Sequence, residues 1–400
     1  MQSLMGTLAA VTLAVGGVAA RAADVQFAAR VTRRLGVAVA IPVLLMVIQL
    51  LPMPFPGLSH TIWINGNEAL DQNAWGHISV DLGKTLEALA LYLANIALIL
   101  ATILVTRNHQ RASQLFILLG TITILTVVVL LTDHFFHVFA VASDGPQGIL
   151  GATSTLGLIL SLSAGADDLE RQGAPAGSPR KLLIASSAGV LICGAGLAAT
   201  ANENVAIVAA FGAVTFLSIQ FVRRLRLAAW TTAVLFATLL TAAAMIVLWR
   251  FDSNRALSPL LQFATAAPAG SLAVAQRLLS DTGWLGAGAG TYAVLLPIYR
   301  EFGNAATQVP STAAALTVEL GLPMALLAIA AGLGLVITLY YGALARGRDS
   351  FYAAAAASGV VILLGQAFCD ASLLHAGVAA IGDVLVGIGL AQSVSRADIA

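Results

Sequence analysis

Apolar runs of about twenty residues recur from one end of the chain to the other, and this leaves few folds open. A run of that length crosses the hydrocarbon core of a bilayer as a helix, because in lipid the backbone must satisfy its own hydrogen bonds. Of the 400 residues, 59% are hydrophobic and 10% are charged, against roughly 25% charged in soluble domains. The expected class is all-α: a polytopic transmembrane helical bundle. A net charge of +1 gives no global field to draw in nucleic acid. Cys193 and Cys369 sit far apart in apolar segments and read as small core residues, not as a disulfide or metal framework.

The runs divide into eleven expected spans, roughly 3–20, 35–53, 85–106, 113–132, 147–165, 182–200, 204–222, 227–249, 322–345, 351–369 and 372–393. If these alternate, fifteen of the twenty Lys and Arg fall on one side, in loops 21–34, 107–111, 166–181, after the seventh and ninth spans, and in the tail. The positive-inside rule makes that side, and the C-terminus, cytoplasmic. Lys84, Arg250, Arg255, Arg277 and Arg300 lie on the other side. The stretch Ala-Arg-Ala before Ala23-Asp24 looks like a signal-peptidase site. Residues 1–15 lack a basic n-region, however, and cleavage would strain the orientation of the next span, so a retained first span is expected. No internal repeat or inverted pair of broken helices is visible, which weighs against a secondary transporter. Three parts follow: a bundle at 1–249 with spans one to eight, an outer subdomain at 250–321, and a last group of three spans at 322–400.

Two outward regions are long. The first, 54–84, carries Trp63 and Trp75 as interface anchors, with His60 and His77 expected in solvent. The second, 250–321, holds four of the five outer cations. Within it Leu272, Ala275, Leu278 and Leu279 have helical spacing, with Arg277 and Asp281 (i, i+4) on another face, so an amphipathic surface helix is expected. A loop with Gly286, Gly288 and Gly290 follows, then Tyr292, Tyr299 and Arg300. Its GxGxG spacing, without a preceding strand or a following Gly-Lys-Ser/Thr, excludes a dinucleotide or P-loop site. Two readings stay open: a flexible re-entrant turn, or a surface that a polar ligand approaches closely. Clustered arginines suit an anion, pyrophosphate on a lipid carrier above all, since guanidinium binds phosphate in a bidentate way. Asp133, His134 and His137 read as a helix-end cap. Asp370 sits in a short outer turn, and Asp383 lies inside the last span, where an ionisable group is expensive and usually has a partner or a function.

The stretches "SDTGWLGAGAGTYAVLLPIYR" (280–300), "STAAALTVELGLP" (311–323) and "GQAFCDASLLHAGVAAIGDVLVGIGLAQS" (365–393) resemble the O-antigen ligase and O-antigen polymerase superfamily of bacterial inner membranes. "QLLPMPFPGLSHTIW" and "ISVDLGKTLEALALYLA" have the same character. The resemblance implies a GT-C-like glycosyltransferase of polysaccharide biosynthesis. Such an enzyme moves glycan from undecaprenyl pyrophosphate to a lipid or glycan acceptor on the periplasmic face. No metal or other cofactor is implied, because arginines stabilise the leaving pyrophosphate. By position Arg277 and Glu319 match catalytic residues. Arg250, Arg255, Arg300, Gly286, Gly288, Gly290, Tyr292, Tyr299 and Asp370 match substrate-binding ones. Two departures stand out. Pro310 occupies the place of the family's usual His, and Thr153, Ser154 and Thr155 stand where two asparagines belong. A degenerate member serving as a partner in a polysaccharide assembly or export complex is the alternative, with a lipid-linked glycan transporter behind it.

Overall fold

The computed structural model describes residues 36–53, 57, 59–71, 75–136, 146–171, 180–224, 258–300, 308–345 and 350–393. The expected spans at 3–20 and 227–249, His137, Arg250 and Arg255 lie outside the described residues. Thirteen α-helices are described: α1 Gly36–Leu50, α2 Thr61–Leu70, α3 Leu82–Val105, α4 His109–Phe136, α5 Pro146–Arg171, α6 Arg180–Thr200, α7 Glu203–Arg224, α8 Ala269–Asp281, α9 Tyr292–Tyr299, α10 Thr312–Leu320, α11 Leu322–Ala345, α12 Ser350–Cys369 and α13 Ala376–Ser393. Two two-residue strands, β1 Pro52–Met53 and β2 Gly76–His77, pair antiparallel.

Among the described residues, eight helices are long and apolar enough to cross a membrane: α3 to α7 and α11 to α13. The chain is a multi-pass membrane protein. The expected span at 35–53 forms α1, an apolar helix of 15 residues. The last span starts later than its apolar run does. The Asp370 carboxylate accepts the Ser372 N–H at 2.9 Å, and residues Ser372–Leu374 form a 3-10 turn before α13 begins. Here a local side-chain cap outcompetes helix continuation.

The bundle is built around α12, which packs against α5, α7, α11 and α13. Ala353 to Ala357 are all fully buried, and Gly359 and Gly389 sit where Leu385 and Ala356 press on them. Small side chains let helices approach closely where lipid supplies no hydrophobic drive between them. At one end of the bundle lie Gln49 of α1, the start of α3, Asn204 of α7 and Asp370 at the end of α12. All of these reach into segment 258–320, which caps that end. Asn204 Nδ2 donates to the Phe263 carbonyl at 2.8 Å and to Thr265 Oγ1 at 3.1 Å, and Thr312 N donates to the Asp370 carbonyl at 2.9 Å. At the far end are Arg107, Arg111, Arg223 and Arg224.

The cap has its own apolar core, formed by Leu261, Val274, Ala275, Leu278, Tyr292, Leu295, Ala314 and Val318. Helix α8 covers the amphipathic stretch. It buries Ser271, Val274, Ala275 and Leu278, and it leaves Arg277 and Asp281 exposed. The first outward region is more ordered than its polar sequence implies. His60 caps α2 by accepting from Ile62 N, and the His77 ring lies 3.1 Å from the Leu50 carbonyl. Both histidines are thus held by the chain, where solvent was expected. Trp63 donates to the Ser79 carbonyl at 2.9 Å, while Trp75 stays exposed.

Candidate functional site

The glycine loop is the hub of the cap. Gly286, Gly288 and Gly290 have φ of 78°, 112° and 74°, a left-handed region that favours glycine. This lets the loop lie backbone on backbone against the end of α10. Ala287 N donates to Val318 O at 2.9 Å, and Gly288 N donates to Glu319 O at 3.0 Å. On its other side Val80 N donates to Ala287 O at 2.9 Å, and Thr85 Oγ1 donates to Ala289 O at 3.1 Å. A Cβ on Gly288 would lie 2.5 Å from Ser79 Oγ, and one on Gly290 would lie 2.9 Å from the Lys84 carbonyl. The close approach that these glycines permit is therefore to the chain itself.

Gln49 passes through the middle of this arrangement. Its Nε2 donates to the carbonyls of Leu285 and Glu319, both at 2.9 Å, and its Oε1 accepts Ala289 N at 3.1 Å. One buried amide ties α1, the glycine loop and α10 together. Sequence reading placed Gln49 inside an apolar span and attached no role to it. A lone amide near the end of such a span was the one available signal.

Glu319 turns its carboxylate onto the start of α9, where it accepts the N–H groups of Gly290 and Tyr292, the latter at 3.2 Å. This satisfies donors that a helix N-terminus leaves open. Burial pushes the Glu319 carboxyl above its ordinary value, and the two N–H groups oppose the shift. Asp370 behaves similarly: burial raises it, and Ser372 and Gln366 hold it down, with Gln366 Nε2 donating at 2.6 Å. Tyr292 is 1% exposed in the cap core, and its hydroxyl has no partner among the described residues. Burial first, and the nearby Glu319 second, push that hydroxyl well above the usual tyrosine range. Tyr299 is half-buried; burial raises it too, and its hydrogen bond to Asp281 adds to the shift.

Helices α8 and α9 pack together, with Tyr299 near Asp281. Arg277 precedes Asp281 by one turn and Arg300 directly follows Tyr299, and both arginines are exposed. Pro310 is buried just before Ser311, whose side chain caps α10 by accepting Ala314 N at 3.2 Å. Thr153, Ser154 and Thr155 are buried inside the bundle, and the two threonines donate to carbonyls of their own helix. Among the described residues no three His, Cys, Asp or Glu side chains gather in a metal-binding group.

The Glu319 carboxyl gives a pH prediction. Its folded value lies above its unfolded one, so the folded state holds the proton more tightly, and this contribution to stability is largest below the unfolded value. It declines as pH rises from the ordinary Glu range through the raised folded one. Glu319→Gln should flatten the fall in thermal midpoint across that window. A variant whose midpoint falls with pH as steeply as the wild type would locate the dependence elsewhere. No family model matches the chain, and no curated protein matches it.

Proposed function

We propose that the chain is a lipid-linked glycan transferase of the O-antigen ligase or polymerase kind, working on the periplasmic face of a bacterial inner membrane. The observation that carries the reading is that Arg277 of α8 and Arg300 at the end of α9, two helices that pack together in the cap, are exposed while Glu319 and Asp370 face inward. Guanidinium groups at the membrane surface suit the pyrophosphate of an undecaprenyl-linked donor, and they stabilise it most as it leaves with its charge. Arg250 and Arg255 belong to the same outer segment of the sequence and complete the basic set.

The roles divide accordingly. Arg277 meets the leaving pyrophosphate and Arg300 orients it. Glu319 is a positioning residue, since its carboxylate is engaged by two backbone N–H groups at the start of α9. Tyr299 supports the packing of α9 on α8 near Asp281. The glycines shape the loop that leads into α9.

Arg277→Ala tests the reading. In a strain lacking the gene, wild type restores long surface polysaccharide. Arg277→Ala, at matched membrane levels, lowers transfer on the order of a hundredfold and leaves short or absent chains. Equal restoration by both would remove Arg277 from catalysis and favour the second reading, a non-catalytic partner in polysaccharide assembly or export. The buried Pro310, where the resemblance places a general base, is the observation on that side.

A further inference from the structure

The side of the bundle away from the cap holds a feature that the transferase reading does not use. Helices α6 and α7 both pack against α5 but barely touch each other. The gap between them is a groove of about 920 Å³, open to the bundle's perimeter. Its body is apolar, and its rim includes Leu191, Leu217 and Phe221, which are 74%, 56% and 55% exposed. Exposed apolar side chains along spans are lipid-facing. Toward the far end of α7 the character changes. Arg224, exposed and without a partner among the described residues, closes the groove one turn beyond Gln220.

Two further groups in the groove wall point the same way. Arg223 donates to Gln220 Oε1 at 3.3 Å, which orients the amide and leaves Gln220 Nε2 as a buried donor with no partner among the described residues. Ser161 Oγ, 4% exposed, likewise has no partner among the described residues. Buried donors without partners are uncommon in native structures. Here Gln220 lies one turn from the cationic mouth, and Ser161 lines the wall of a groove otherwise fit for hydrocarbon. Acyl chain along the body and anion at the mouth is the polarity of a membrane lipid with a negatively charged headgroup. Basic pockets between spans bind such headgroups.

We infer that the α5–α6–α7 groove is a binding site for an anionic phospholipid, with one acyl chain between α6 and α7 and the phosphate on Arg224. The site is independent of the glycan chemistry at the cap and lies at the opposite end of α7. The charge of Arg224 selects the headgroup, and the groove selects only for hydrocarbon.

The test is native mass spectrometry of the full chain in mild detergent, with phosphatidylglycerol or phosphatidylcholine of identical acyl chains. Wild type retains phosphatidylglycerol in preference. Arg224→Ala reduces that preference about fivefold, the scale of one arginine near an anionic headgroup. Val214→Trp, which fills the groove, lowers retention of both lipids. Equal retention of the two lipids by wild type would overturn the site, as would unchanged retention in both variants. The latter is what a groove covered by another part of this chain or by a second copy would give. Loss of preference in Arg224→Ala with full retention in Val214→Trp would reduce the site to a surface phosphate contact and overturn the groove. Arg224 is exposed, so its variant keeps the test readable if Val214→Trp does not fold.

Discussion

Gln49→Leu detaches the cap from the bundle. The substitution puts an apolar side chain of similar size in the same fully buried position, so the cost comes from hydrogen bonds alone. Three are lost: two donated to Leu285 O and Glu319 O, and one accepted from Ala289 N. Glu319 O keeps Gly288 N as a partner. The Ala289 N–H and the Leu285 carbonyl lose the amide. Each buried group left unpaired costs about 1–3 kcal/mol, so the expected loss is about 2–6 kcal/mol, concentrated at the cap junction. Limited proteolysis in detergent should cut Gln49→Leu within 258–300 while the eight spans stay resistant. Gln49→Glu should do the same, because a carboxylate cannot donate to two carbonyls. A wild-type cleavage pattern in both variants would mean that the cap holds without the amide.

The spans were legible because run length alone decides whether a helix can cross a bilayer, and side-chain detail matters little. Nine of the eleven expected runs fall on described helices, and eight of these have the length to cross. The helix over 269–281 was legible for a similar reason, since its apolar residues repeat at helical spacing. The polar contacts were not. A glycine pattern states that something comes close without stating what, and here the neighbour is the backbone of Glu319, Leu320 and Lys84. Gln49 could not be assigned because its three partners lie 236 to 270 residues away in sequence. Asp370 was legible as an acid in a short outer turn, and Glu319 only through the resemblance. Their inward direction depends on which N–H groups the fold leaves open, and those belong to helix and turn starts that spacing alone did not locate. The packing of α8 on α9, which sets Tyr299 near Asp281, likewise has no local signature.

Gly286→Ala should be among the most damaging single methyl additions in the cap. Two costs combine. At φ of 78° an L side chain is strained by roughly 1–2 kcal/mol. The new Cβ would also run into the carbonyl of Glu319, a backbone group pinned by Gln49 and Gly288 that cannot swing aside as a flexible side-chain tip could. Overpacking against fixed atoms typically costs a further 1–3 kcal/mol. Relief requires the loop to lift from α10, which breaks the Ala287–Val318 and Gly288–Glu319 hydrogen bonds and takes the N-terminus of α9 away from the Glu319 carboxylate. Arg300, at the far end of α9, then moves with that helix. Gly283→Ala is the matched control, because a Cβ there meets nothing within 4 Å and the backbone is not left-handed. The expected result is a sharp fall in folded yield and thermal midpoint for Gly286→Ala, with Gly283→Ala at wild-type levels. If Gly286→Ala keeps the wild-type midpoint yet loses polysaccharide restoration, the glycine serves a bound substrate, not the packing of the chain on itself.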